Sequence, residues 1–169
     1  MKPASLAALS AFACLFFANC SGNKINGDFA SKNGNSRGAT KAVRTTAYSH
    51  QESDSLQYGR KNAKGTQLKY GQVRSAAADW SIYPVGTTFQ IEGEPYVYEI
   101  DDYGSALVGK NTIDLYKPDL RTMHNYGAKD VNIKILNWGS YSESLRILKD
   151  RQKANHTRRM YQSILVKTS

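Results

Sequence analysis

The sequence predicts a mainly β protein: a six-stranded barrel with one short helix, followed by a C-terminal α-helix. Two observations carry this expectation. From Val43 to Leu136 the β-branched and aromatic residues fall in short runs, and Gly, Pro, Asn and Asp separate them. Beyond Gly139 that pattern stops, and a charged segment with a weak apolar stripe replaces it. Many short strands in about 100 residues point to a small closed sheet.

The first strand is expected at Val43–Tyr48, a run of Val, Thr and Tyr. Ser49 to Tyr70 is polar, contains Gly59 and Gly65, and reads as a long excursion. A connection of that length in a compact domain is often functional. Val73–Ala78 reads as a second strand, ending at Asp79-Trp80. Tyr83-Pro84-Val85-Gly86-Thr87 is a turn signal. Thr87–Ile91 and Tyr96–Ile100 alternate as strands about the turn Glu92-Gly93-Glu94-Pro95, which predicts a hairpin. In the next strand, Asn111–Tyr116, Ile113 and Leu115 share one face and Thr112, Asp114 and Tyr116 the other. Pro118-Asp119 opens a short helix, Leu120–Tyr126, stopped by Gly127. Val131–Leu136 is the last strand.

Ser140-Tyr141-Ser142-Glu143 fits a capping box, so a single helix is expected across 140–169. Leu145, Leu148 and Gln152 form one stripe, while Lys149, Arg151, Lys153, Arg158 and Arg159 make the helix basic. Packing of this helix on the barrel is expected.

The N-terminus reads as an export signal over 1–19. Lys2 supplies the charge, and Leu6 to Ala18 is an apolar stretch shorter than the about 20 residues of a membrane span. Cys20 follows Phe17-Ala18-Asn19, which resembles a bacterial lipoprotein signal with Cys20 as the acylated residue. Residues 20–42 are then a Ser-, Gly- and Asn-rich tether, 43–139 the barrel and 140–169 the basic helix. Cys14 falls in the signal, so Cys20 is left as the one cysteine and no internal disulfide is expected. The expected location is the cell envelope, lipid-anchored at the outer membrane and facing the periplasm.

With 23 Lys+Arg against 14 Asp+Glu, the formal charge is +9. An exported basic protein meets anionic envelope polymers and lipid headgroups before it meets nucleic acid. No aromatic RNA-binding signature accompanies the charge, so no nucleic acid is expected. His50, His124 and His156 are scattered, with no Cys/His cluster at ligand spacing, so neither a metal nor a cofactor is expected.

In a basic chain, aspartates set among strand residues need a reason. Asp79, Asp101, Asp102 and Asp114 all lie beside apolar or aromatic residues. Carboxylates are seldom buried unpaired, and a desolvated one holds its proton toward neutral pH, which suits a general acid. Asp102-Tyr103-Gly104 is also a turn signature, and Asp79 fits a loop residue bonding backbone amides. Asp101 reads as an extra charge. Asp114 stands out, because Asp has poor strand propensity and it sits between Ile113 and Leu115.

The ordered blocks Ala76-Ala77-Ala78-Asp79, Tyr83-Pro84-Val85-Gly86-Thr87, Asp102-Tyr-Gly-Ser-Ala-Leu-Val-Gly109 and Ile113-Asp114-Leu115-Tyr116 resemble the bacterial 3D domain, a family named for three aspartates. They are similar to the catalytic barrel of membrane-bound lytic transglycosylase A and to small stationary-phase muralytic proteins. The resemblance implies a double-psi β-barrel over about Thr45 to Trp138. It implies cleavage of the peptidoglycan bond between N-acetylmuramic acid and N-acetylglucosamine to a 1,6-anhydro product, with one carboxyl group as acid and then base. By position, Asp114 matches the acid/base. Asp102 and Asp79 match the residues that hold its proton and bind sugar hydroxyls. Gly104, Ser105 and Ala106 match the segment that approaches the glycan, and Tyr48 is a candidate stacking face for sugar.

Two departures carry physical consequences. The family's Asp-Thr-Gly-Gly-Ala-Ile is Asp-Tyr-Gly-Ser-Ala-Leu here, and one extra residue lies between Gly109 and Asp114. An added residue reverses side-chain facing unless a bulge absorbs it. The alternative reading is a non-catalytic peptidoglycan-binding, expansin-like barrel. A third is an interaction protein whose basic helix binds a partner.

Overall fold

A computed structural model describes residues 37–53 and 55–169. The expected signal at 1–19, Cys20 and most of the tether lie outside the described residues. The described chain is mainly β, with three α-helices. Six strands carry the fold: β1 (Thr40–Tyr48), β2 (Val73–Ala77), β3 (Thr88–Ile91), β4 (Val97–Asp102), β5 (Thr112–Tyr116) and β6 (Lys129–Asn137). The helices are α1 (Leu120–Tyr126), α2 (Tyr141–Lys149) and α3 (Asn155–Thr168).

Each strand bonds two neighbours, in the ring β1-β5-β2-β4-β3-β6 and back to β1, so the sheet closes as a barrel. The β1–β5 and β2–β4 pairs are parallel and the other four antiparallel. The expected hairpin is present as β3–β4, with Phe89 opposite Tyr98. Inward alternation fills the barrel with Phe89, Tyr98, Ile100, Ile113, Ile133 and Ile135, all fully buried.

The Pro84–Thr87 turn closes with an amide bond from Thr87 to the Pro84 carbonyl at 3.0 Å. Gly86 stands at φ +86°, the third-position geometry that a type II turn demands. Gly139 packs so tightly on this turn that a Cβ there would collide with the carbonyls of Pro84 and Val85. The end of β6 is thereby pinned to the start of β3.

The C-terminal segment is two helices, which corrects the single helix expected over 140–169. Leu148 on α2 and Met160 on α3 are both fully buried against the barrel core. On one continuous helix these two positions would differ by about 120° of phase and could not face one core. The break at 150–154 resets the phase. The buried Thr157 Oγ secures it by bonding the Ala154 and Arg151 carbonyls. Of the expected capping box, one half forms: Ser140 Oγ accepts from the Glu143 amide at 3.1 Å, while the Glu143 carboxylate turns to Arg146.

Candidate active site

β2, β5 and β4 lie side by side, and their register builds the floor of the site. Ala77 of β2 faces Asp114 of β5 on one side and Asp102 of β4 on the other. Thr46 of β1 lies beyond Asp114 in the same row. Four residues from four adjacent strands, Thr46, Asp114, Ala77 and Asp102, thus run across the outer face of the barrel. The small Ala77 side chain leaves open space between the two acids.

A bulge makes this row possible. Ala76 pairs with Ile100 but Ala77 pairs with Asp102, so Asp101 is the extra residue in β4. Strict alternation from Tyr98 and Ile100 would send Asp102 into the core. The bulge turns it out. The segment from Gly109 to Asn111 leads into β5. There Gly109 adopts φ +81°, and Asn111 donates to the Ala42 carbonyl and accepts from the Tyr83 hydroxyl. Ile113 and Leu115 are buried and Asp114 faces out, as the alternation predicts.

The floor lies in a groove of about 1200 Å³. Its walls come from three segments: the 48–68 excursion with its 3-10 turn Leu56–Tyr58, the stretch Tyr103–Leu107, and the α2–α3 corner with Arg151, Ala154, His156 and Thr157. Tyr48, Gly104, Ser105 and Ala106 all line it, with Asp102 and Asp114. Gly104 is extended at φ −133°, and a Cβ there would meet only Leu107 at 3.4 Å, so the fold itself does not demand glycine.

The two floor carboxylates differ in their partners. Asp102 is tied on both oxygens. Oδ1 accepts from the amides of Tyr103 (2.9 Å) and Ala63 (3.2 Å), and Oδ2 from the Tyr48 hydroxyl (3.2 Å). Burial pushes its pKa up to about 6, opposed by the Tyr103 amide and reinforced by the charge of Asp101. Asp114 accepts one bond, from Thr46 Oγ to Oδ1 at 2.8 Å. Burial pushes it also to about 6, against the Thr46 bond, with the Glu52 carboxylate adding to the rise. Among the described residues no group bonds its Oδ2, which leaves that atom to a ligand.

Asp79 occupies a different place. It is 2 % exposed and is not among the residues that line the groove. Its Oδ1 accepts from the Ser81 amide (2.8 Å) and its Oδ2 from the Gly109 amide (2.6 Å). It ties the turn after β2 to the loop that leads into β5. The structure thus brings Asp102 and Asp114 to one groove and ties Asp79 to backbone amides outside its lining. Among the described residues Asp102 and Asp114 share no hydrogen bond, and Thr46 bonds the Asp114 carboxyl.

Sequence reasoning missed Thr46 and Asp101. Asp101 is fully buried, and its Oδ2 accepts from Ser75 (2.7 Å), Asn62 (2.9 Å) and Lys69 (3.2 Å). Its Oδ1 is buried with no partner among the described residues, and burial holds its pKa up against the Ser75 and Lys69 contacts. Asn62 and Ala63 of the excursion therefore dock on successive aspartates of the bulge. The available signal was the doubled Asp after Ile100, where strand alternation breaks. Thr46 gave none, since Thr suits any strand.

Residues 74–137 match the family model described as the 3D domain. Over that stretch the chain is similar to the 3D domain. A stretch of 108 residues is also 33% identical to the putative cell wall shaping protein YabE of Bacillus subtilis (strain 168). That match covers 63% of this chain and 25% of the relative, so the chain spans about a quarter of the length of that protein. The 3D domain match contains Asp79, Asp101, Asp102, the 104–106 segment and Asp114. Thr46, Tyr48, the excursion and the α2–α3 corner fall outside it.

Proposed function

We propose that this protein is a lytic transglycosylase of the cell envelope, acting on peptidoglycan glycan strands with Asp114 as the acid/base. One observation carries the reading. Asp114 stands on the groove floor with one oxygen free of hydrogen bonds among the described residues and a pKa pushed to about 6, so it can hold a proton and present it to a bound ligand. The 3D domain and the cell wall shaping relative support peptidoglycan as the polymer. The two parallel pairs, β1–β5 and β2–β4, support a double-psi barrel.

In the proposed reaction, Asp114 protonates the glycosidic oxygen as its bond to C1 of the muramic residue breaks. The 6-hydroxyl of that same residue then bonds to C1 and gives its proton to the Asp114 carboxylate. The acid is regenerated, no water is consumed, and the product is the 1,6-anhydro sugar. A single carboxyl group suffices, unlike the paired groups of hydrolases. Asp102, locked by three donors, orients Tyr48 and the Tyr103–Ala106 segment toward the glycan. Acylation of Cys20, after removal of 1–19, would hold the barrel at the membrane by the segment between Cys20 and β1, which begins at Thr40 rather than at the expected Val43.

Incubation of the purified protein with peptidoglycan, followed by mass spectrometry, tests this. Anhydromuramic products that disappear in Asp114→Asn are expected. Product that persists in that variant sinks the residue assignment. Binding without any product sinks the enzyme reading and leaves a glycan-binding barrel.

A further inference from the structure

The third wall of the groove lies outside the 3D domain match, and its chemistry differs from the floor. Arg151, Ala154, His156 and Thr157 come from the α2–α3 corner. This corner is anchored on the barrel core. Leu148 and Met160 on either side are fully buried, and the Arg151 amide bonds the Leu148 carbonyl at 3.0 Å. Thr157, 1 % exposed, bonds the Arg151 and Ala154 carbonyls from below.

The Arg151 side chain is exposed, and its guanidinium makes no ion pair among the described residues. Its one side-chain hydrogen bond goes to the Tyr103 hydroxyl at 3.3 Å. It lies over the Tyr103 ring at 5.9 Å, and the His156 ring meets the same tyrosine at 5.9 Å. Trp80 braces Tyr103 edge-on at 5.0 Å, and Trp80 is itself fixed by its indole bond to the Asp102 carbonyl. The cation is thus mounted on an aromatic shelf that is continuous with the bulge carrying Asp102. Asp102, Asp114 and Glu52 supply the groove's acids from the floor and the excursion wall, where Lys61 also sits.

We propose that Arg151 is a specificity-determining residue that binds a carboxylate borne on the muramic sugar and so sets the register of the glycan over Asp114. The inference rests on the glycan reading above. The strand alternates two sugars. The N-acetylglucosamine unit is uncharged, whereas the muramic unit carries a lactyl ether that ends in a carboxylate or in a peptide with carboxylates of its own. Shape alone separates the two glycosidic bonds poorly. A guanidinium at this wall separates them by charge, since its planar fork matches a carboxylate on two oxygens. Binding the muramic substituent at the helical wall brings one of the two alternating bonds over Asp114 and holds the other away.

The test measures dissociation constants on the full chain in an Asp114→Asn background, which keeps the glycan intact. Three ligands are compared: a tetrasaccharide of alternating N-acetylglucosamine and muramic acid with free lactyl carboxylates, the same tetrasaccharide bearing stem peptides, and neutral chitotetraose. Adding Arg151→Gln is expected to weaken at least one of the two muramic ligands by roughly tenfold to a hundredfold, the worth of a charge-assisted bond. Chitotetraose binding and Tm stay unchanged, and Arg151→Lys recovers part of the loss. Which muramic ligand suffers more tells the lactyl carboxylate from the peptide carboxylates. Equal loss on chitotetraose, or no loss on either muramic ligand, overturns the inference while the glycan reading stands. Failure of the Asp114→Asn protein with Arg151 intact to bind any muramic ligand overturns both.

Discussion

Asp114 accepts a single protein hydrogen bond, from Thr46, and that bond favours its charged form. Burial works the other way and wins, placing the carboxyl at about 6. Acid catalysis needs the protonated form in the free enzyme, so kcat/KM should be level below about pH 6 and fall about tenfold per unit above it. The sign of a change at Thr46 follows. Thr46→Val keeps the β-branched shape but removes the donor, so the Asp114 pKa rises and the descending limb moves to higher pH. A pH profile of anhydromuramic product formation for the two proteins measures this. A limb that stays put, or moves to lower pH, would show that another group carries the proton.

At the scale of elements, the site depends on where strands begin rather than on the strands themselves. β5 was readable because Ile113 and Leu115 alternate with Asp114, and α1 because Asp119 and Gly127 bracket it; the Asp119 side chain accepts from the Thr122 amide. The bulge at Asp101 was partly hidden: the doubled Asp after Ile100 breaks the alternation, but which residue is the extra one follows only from the pairing with Ala76 and Ala77. The α2–α3 break was hidden too. No Gly or Pro marks residues 150–154, and only the shared core contact of Leu148 and Met160 requires a turn there. Asp79 belongs to this scale, since it joins the end of β2 to the approach of β5. Asp79→Ala leaves the buried Ser81 amide without its acceptor and frees the Gly109 loop. A loss of about 1–3 kcal/mol in urea unfolding is expected, with activity lowered through misplacement of Asp114. An Asp79→Ala protein as stable as the parent but inactive would instead make Asp79 a groove residue.

For the whole molecule, the two floor carboxylates oppose the fold. An ordinary aspartate in an unfolded chain titrates near 3.9, while Asp102 and Asp114 titrate at about 6 when folded. Between these values the folded state binds more protons than the unfolded one, so stability falls as pH rises through the window. Below about pH 4 both states are protonated and the term vanishes. Above pH 6 the full cost of holding a desolvated charge is present. Asp114→Asn removes a titrating group, keeps an acceptor for Thr46, and stays on the same strand face. It should therefore stabilise the protein at pH 8 by about 1–3 kcal/mol, the span of a one- to two-unit shift. That corresponds to a Tm rise of about 2–4 °C per kcal/mol in a chain of this size. The gain should shrink through pH 6 and disappear near pH 4. Thermal unfolding of parent and variant at pH 4, 6 and 8 distinguishes this from generic stabilisation, which would be equal at all three. A variant less stable than the parent at pH 8 would mean that Asp114 serves the barrel. A gain confined to high pH is what a proton-transfer site maintained against the fold requires, since residues placed for chemistry commonly sit where stability alone would not put them.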